Sequence, residues 1–375
     1  MKRSYWFILK LWLAFGLSFP LLAQPDVRGD GAVLAVSTVA QAEKGVIFEN
    51  PLYRSEEILE FQLNLNYKDL LDDRGEDPGY HQGTLTYTDA TRGPVSVNLK
   101  VKVRGNHRRN PLICRFPPLL LNFSRKTTSQ TVFEHVNKVK LVTHCLQEEY
   151  VLREYQVYKL YNVLTDKSFR VRLCRVRYED LEGKRKSETR YAFLIEDDDE
   201  MAQRHNGVIV PKALAIGMQG TDQGTMAQLA IFQYMIGNTD WSVPYRHNIK
   251  LLSLDSLAPP HPVPYDFDFN GMVDPPYAVP PPELGIATVQ QRLYRGYDFP
   301  EHVYAAVVQV FKARRRELYG VYRKRPLLSK SSQKRALRFL DSFYKTIDDP
   351  KDFERNIVRV GRENQKSYVT VKGLK

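Results

Sequence analysis

The sequence predicts an α+β fold in which strands come first and helices gather toward the C-terminus. Two observations carry this. From Ile58 onward, apolar and polar side chains alternate at a period of two over several short runs, and helical segments are read at 150–164, 224–236, 303–324 and 331–346. Strands and helices do not alternate regularly along the chain, which argues against a parallel βαβ sheet.

The elements follow in order. Leu59, Phe61, Leu63 and Leu65 alternate with polar residues, and 83–87 and 95–103 repeat the pattern, so three strands with one buried face are expected. Asp77-Pro78-Gly79 and Arg92-Gly93-Pro94 are turns between them. Strands are also expected at 119–123 and 139–142. The helix at 150–164 has the stripe Tyr150, Glu154, Val157, Tyr161 and Leu164. Glu154 puts a carboxylate in that apolar stripe, and a buried carboxylate needs a partner. Strands return at 169–178 and 190–195, and short ones at 249–252 and 263–267. Residues 275–284 carry five prolines and form an extended loop.

The first residues are a leader. Met1-Lys2-Arg3 opens a run of Tyr, Trp, Phe, Ile and Leu that ends at Ala23-Gln24, which reads as a signal peptide cleaved near Ala23. Lys10 interrupts the apolar run, against a retained anchor, and no later stretch is long and apolar enough to span a bilayer. An exported protein, periplasmic, at the cell surface or extracellular, is expected. The domain reading is 1–23 signal peptide, 24–44 flexible lead-in, 45–208 β-rich part and 209–375 mainly helical part.

The net charge is +12, and cleavage of the leader removes three positive charges. Such a surface attracts anionic partners. Its basic clusters, at 104–109, 184–186 and 314–316, lack the aromatic and glycine pattern of RNA-binding proteins, so a solvated basic surface is expected and nucleic-acid binding is not. Of Cys114, Cys145 and Cys174, two can form a disulfide in an oxidising compartment, but their apolar flanks favour buried free thiols.

The richest segment runs from Gly237 to Asn248 and resumes at Pro264-Tyr265-Asp266-Phe267-Asp268. A carboxylate after a helix, an amide a short loop later and a carboxylate after the next strand suit a nucleotide's phosphates held through Mg²⁺, a hard ion that takes oxygen ligands. Asn248 and Asp266 supply two of those oxygens, and Asp240 orients or deprotonates the attacking hydroxyl. Asp266 and Asp268 alternate across Phe267 and Phe269, so only one of them is expected to share the face toward Asp240, and Asp268 is the substitute or a second metal ligand. Lys138 and Lys140 flank Val139, so Lys140 is either part of a solvated strand face or the partner of Glu154. Asp240 and Asn248 also read as ordinary turn residues.

Gly237-Asn238-Thr239-Asp240, Arg246-His247-Asn248 and Tyr265-Asp266-Phe267-Asp268 are similar to the catalytic and metal-binding segments of the CotH (spore coat protein H) family. Val103-Arg104-Gly105-Asn106-His107 resembles that family's R-G-N-S motif. Lys140 matches its lysine before the first helix, Leu152-Arg153-Glu154 the start of that helix, and 191–196 its hinge strand. The likeness covers roughly residues 95–270, in family order. It implies an atypical protein-kinase-like fold of two lobes. It also implies ATP and Mg²⁺ or Mn²⁺ as cofactors and a protein hydroxyl as acceptor. Asp240 is then catalytic, Arg104, Asn106, Lys140, Glu154 and Glu196 bind nucleotide, and Asn248, Asp266 and Asp268 bind metal. Trp241 stands where the family carries arginine, so the alternative is a catalytically inactive kinase-like module that binds a partner at the cell surface.

Overall fold

Strand β1 (Leu59–Leu65) is hydrogen-bonded on both sides in the computed structural model of the chain, and this closes its main sheet. The structure describes residues 50–324 and 327–366; the expected leader and nearly all of the lead-in precede them and lie outside the described residues. After β1 come α1 (Tyr67–Asp72), β2 (His81–Asp89), β3 (Gly93–Val103), β4 (Leu119–Phe123), α2 (Arg125–Thr128) and β5 (Lys138–Val142). Helix α3 (Glu148–Leu164) precedes β6 (Val171–Asp180) and β7 (Glu188–Ile195). The barrel order is β1-β2-β3-β4-β5-β7-β6. Neighbours are antiparallel except β1 and β6, which run parallel with Leu59 opposite Cys174 and Leu65 opposite Asp180. Closure leaves this sheet without a free edge.

The alternation seen in the sequence fills the barrel. Leu63, Leu85, Leu99, Val101, Leu121 and Leu141 are buried inside it with Val176 and Leu194. Strands β6 and β7 are buried on both faces where residues 171–174 lie beside residues 192–195. Cys174, Val176, Ala192 and Leu194 point into the barrel, whereas Val171, Leu173, Phe193 and Ile195 join a second core. That split follows from side chains alternating across a strand. The second core rests on α3 and α5 (Gln223–Ile236), after α4 (Asp198–Arg204) and β8 (Val208–Ile209). Strands β9 (Ile249–Ser253) and β10 (His261–Pro264) form a separate three-stranded sheet with β8, ordered β10-β9-β8. Helices α6 (Glu301–Ala313), α7 (Arg315–Arg323), α8 (Lys330–Asp348), α9 (Pro350–Phe353) and α10 (Arg359–Lys366) complete the described chain.

The kinase-like fold of two lobes that the family resemblance implies is therefore not adopted. Seven strands close into a barrel because β1 pairs with β6, a contact made across more than a hundred residues, and helices pack against it. Smaller expectations also change. The segment 303–324 is two helices that meet at Arg314, where φ −87° and ψ 2° leave the helical region. Strand β10 stops at Pro264, so Asp266 and Asp268 lie in a loop. Cys114 and Cys145 form a disulfide with Cα atoms 4.8 Å apart, which corrects the free-thiol reading for both; Cys174 is free and buried. Among the described residues, no helix is long and apolar enough to cross a membrane.

Candidate functional site

The site begins where α5 ends. Gly237 takes a left-handed φ of 68°, and a Cβ there would lie 2.7 Å from the Val289 carbonyl oxygen, so glycine both stops the helix and admits the neighbouring chain. Asn238 accepts from the Asp240 amide at 2.8 Å and fixes the turn that presents the Asp240 carboxylate. A tight turn then reverses the chain. Ser242 and His247 exchange two main-chain hydrogen bonds of 3.0 Å, which brings His247 and Asn248 back over Asp240. His247 Nε2 lies 2.8 Å from Asp240 Oδ1, and the Asn248 amide donates to Asp240 Oδ2 at 3.0 Å.

Asn248 (φ 53°) and Asp266 (φ 60°) both occupy the left-handed region. Asn and Asp tolerate it better than other L-residues, and such conformations gather at functional sites. Asp266 is held there by its own amide, which donates to the Tyr158 hydroxyl of α3 at 2.8 Å. This turn ends the strand. The expectation that Asp266 and Asp268 act as alternate positions of a strand is thus replaced by a loop in which both meet the same cation, Arg108.

These pieces converge on one cleft of about 560 Å³. Asp240, Asn248, Asp266 and Asp268 line it, as do Arg104 and Asn106 from the segment after β3. Lys212, Arg246 and His247 contribute positive or titratable groups. Arg246 is 8% exposed, and its Nε and Nη1 are buried without a hydrogen-bond partner among the described residues. Unsatisfied cationic donors beside a cleft suit an anionic ligand.

Three site residues expected from sequence are placed elsewhere in the network. Lys140 does not pair with Glu154; its ammonium binds Asp198 Oδ1 at 2.7 Å, 5.6 Å from the Tyr265 ring, and burial lowers its pKa. Glu154 is 2% exposed and bonds Arg108 Nη1 at 2.9 Å. Glu196, also buried, accepts from Arg204 Nε at 3.0 Å and Nη2 at 2.9 Å and from the Arg170 amide at 2.9 Å. None of the three lines the cleft.

Arg108 was the residue sequence reasoning passed over. It sits in the basic run 104–109, where nothing in the sequence separates it from exposed neighbours. In the structure it is 7% exposed and reaches Glu154, Asp266 Oδ1 at 2.8 Å and Asp268 Oδ2 at 3.2 Å. Tyr277 from the proline-rich loop also donates to Asp268 Oδ2, at 3.0 Å. Burial, together with the neighbouring carboxylates and against the pull of Arg108, raises the pKa of both Glu154 and Asp268. His247 responds in the opposite sense to its burial: desolvation lowers its pKa, but the Asp240 hydrogen bond and charge more than reverse this.

The donor chemistry fits a hard divalent cation. Among the described residues, no hydrogen bond uses Asn248 Oδ1, Asp266 Oδ2 or Asp268 Oδ1, and all three residues line the cleft. No group of three or more His, Cys, Asp and Glu side chains is assembled as a metal site among the described residues. Two carboxylates, an amide and waters nevertheless make a set that Mg²⁺ accepts, since it retains several waters when bound. Comparison of the chain with protein-family models and with curated proteins gives no match.

Proposed function

We propose that this cleft binds ATP with a divalent cation and transfers the terminal phosphoryl group to a protein hydroxyl, outside the cytoplasm. The observation that carries this reading is the meeting of Asp240, Asn248, Asp266 and Asp268 with Arg104 and Arg246 around one cleft. Phosphoryl transfer asks mainly for positioning and charge neutralisation, which such a set supplies. The CotH-like order of the motifs supports the same reaction class, and the Cys114–Cys145 disulfide suits an oxidising compartment.

Each residue has a task in this reading. Asn248, Asp266 and Asp268 would hold Mg²⁺ or Mn²⁺, which would neutralise charge on the phosphates. Arg104 and Arg246 face the phosphates, and Asn106 orients them. Asp240 accepts the hydrogen bond of the acceptor hydroxyl. His247 and Asn248 hold the Asp240 carboxylate, and its oxygens keep further lone pairs for that hydroxyl. The hydroxyl oxygen bonds the terminal phosphorus as the bond to the bridging oxygen breaks. ADP leaves with that electron pair, and the hydroxyl proton passes to Asp240 and on to water.

A second reading is favoured by one observation. Trp241 is 2% exposed and contributes to the core where the resembled family carries arginine, so this position adds no charge to the cleft. The chain then binds a partner at the cell surface without catalysis. The two readings separate by incubating the protein with Mn²⁺ and γ-labelled ATP, alone and with exported proteins. Phosphoryl transfer predicts label on protein hydroxyls that Asp240→Ala abolishes; label that survives this substitution, or none at all, leaves the binding reading.

A further inference from the structure

Three carboxylates share one guanidinium at the wall of the cleft. Arg108 presents a different nitrogen to each: Nη1 to Glu154 at 2.9 Å, Nη2 to Asp266 at 2.8 Å and Nε to Asp268 at 3.2 Å. Its side chain is 8% exposed and that of Glu154 2%. Glu154 Oε1 is buried with no hydrogen-bond partner among the described residues. Arg108 therefore engages one oxygen of each carboxylate, and the second oxygen of Glu154 is left without a donor.

We propose that Arg108 is a built-in second cation, so that the cleft takes one divalent ion where two-metal phosphoryl-transfer sites take a pair. This rests on the metal-dependent reading of the cleft given above. Geometry supports it. Arg108 occupies Asp266 Oδ1 and Asp268 Oδ2, leaving Asp266 Oδ2, Asp268 Oδ1 and Asn248 Oδ1 for a single ion. A guanidinium does not lose its proton, so this cation is permanent, and its fork fixes both carboxylates where an ammonium would hold them at a point. Lys140 does not take this part, because it is paired with Asp198. Arg108 also ties the two ends of the site together, since Glu154 belongs to α3 and the aspartates to the loop after β10. It is a positioning residue and touches no reacting atom in this scheme.

The test is the number of Mn²⁺ ions bound, with Mn²⁺ alone as the probe and the free-ion paramagnetic resonance signal as the readout. Arg108→Met strands a buried carboxylate, so the variant used is Arg108→Met with Glu154→Gln, its folding checked by circular dichroism. Wild type is expected to bind one ion and the double variant two, while Arg108→Lys stays at one. A purely structural arginine would not create a metal site when removed. If the folded double variant also binds one ion, or wild type binds two, Arg108 is not the second cation, although the metal-dependent cleft stands. If wild type and variants bind none, the metal-dependent reading falls, and this inference with it.

Discussion

The side-chain amide of Asn248 donates to both the main-chain oxygen of Asp240, at 2.8 Å, and its carboxylate Oδ2, at 3.0 Å. One side chain thus clamps Asp240 at two points, its main chain and one carboxylate oxygen, and His247 holds the other carboxylate oxygen. The clamp exists because the Ser242–His247 turn folds the chain back and because Asn248 tolerates a φ of 53°. Asp240 therefore reaches the cleft already oriented.

Asn248→Ala removes that clamp and an oxygen donor together. Small misplacements of a reacting group cost on the order of 100-fold in rate. We expect labelled phosphate transfer to fall by about that factor or more. The two lost hydrogen bonds cost about 1 kcal/mol each in urea unfolding. A rate within twofold of wild type would remove Asn248 from the mechanism.

Arg108→Met breaks a buried ion-pair cluster and leaves Glu154 and Asp268 uncompensated. Removing one partner of a buried pair costs about 3–5 kcal/mol. Adding Glu154→Gln should return part of that loss. The check is the coupling energy between the two substitutions from denaturant curves; additive effects would show that the pair is not energetically linked.

The Cys114–Cys145 disulfide closes a loop with a sequence separation of 31. A loop of that size stabilises by about 3–4 kcal/mol through the unfolded state. Reductant should lower the urea midpoint by the corresponding amount, and Cys114→Ser with Cys145→Ser should make the protein insensitive to it. Cys174 is fully buried, with a pKa raised by burial, so thiol reagents should reach it only on unfolding.

Glu200 gives the clearest pH signal away from the cleft. Burial, against the hydrogen bond from Asn50, raises its pKa from 4.5 to about 7. A carboxylate whose folded pKa exceeds its unfolded one favours folding below the unfolded value and loses that contribution as pH rises through the folded value. Stability should therefore fall from pH 4.5 to 7 through this group. Glu200→Gln should flatten the decline in melting temperature over that window; an unchanged slope would assign it to other groups.

Local pattern made much of the barrel legible. The expected first strand and β1 coincide, because one buried face imposes a period of two on Leu59, Phe61, Leu63 and Leu65. Closure was not legible, because nothing local tells β1 to run parallel to β6. Asp240, Asn248 and Asp266 were legible because a carboxylate after a helix, an amide a short loop later and a carboxylate after the next strand form a pattern in the sequence, and the structure gathers them in one cleft. Glu154 was legible as a residue needing a partner. Which partner was not, since Arg108 and Lys140 carry the same charge and only the packing of the Arg104–Arg109 run separates them. The left-handed φ of Asp266 likewise escaped a period-two reading, which treats Pro264 to Phe267 as continuous strand.

The most direct measurement is the melting temperature of the purified protein with and without ATP and Mn²⁺, in wild type and Asp266→Ala. A ligand at one hundred times its Kd stabilises the folded state by about 2.7 kcal/mol. A rise in wild type that needs both ATP and Mn²⁺ and vanishes in Asp266→Ala is the predicted result. No rise in wild type, or an equal rise in the variant, would contradict a metal-nucleotide cleft built on Asp240, Asn248 and Asp266.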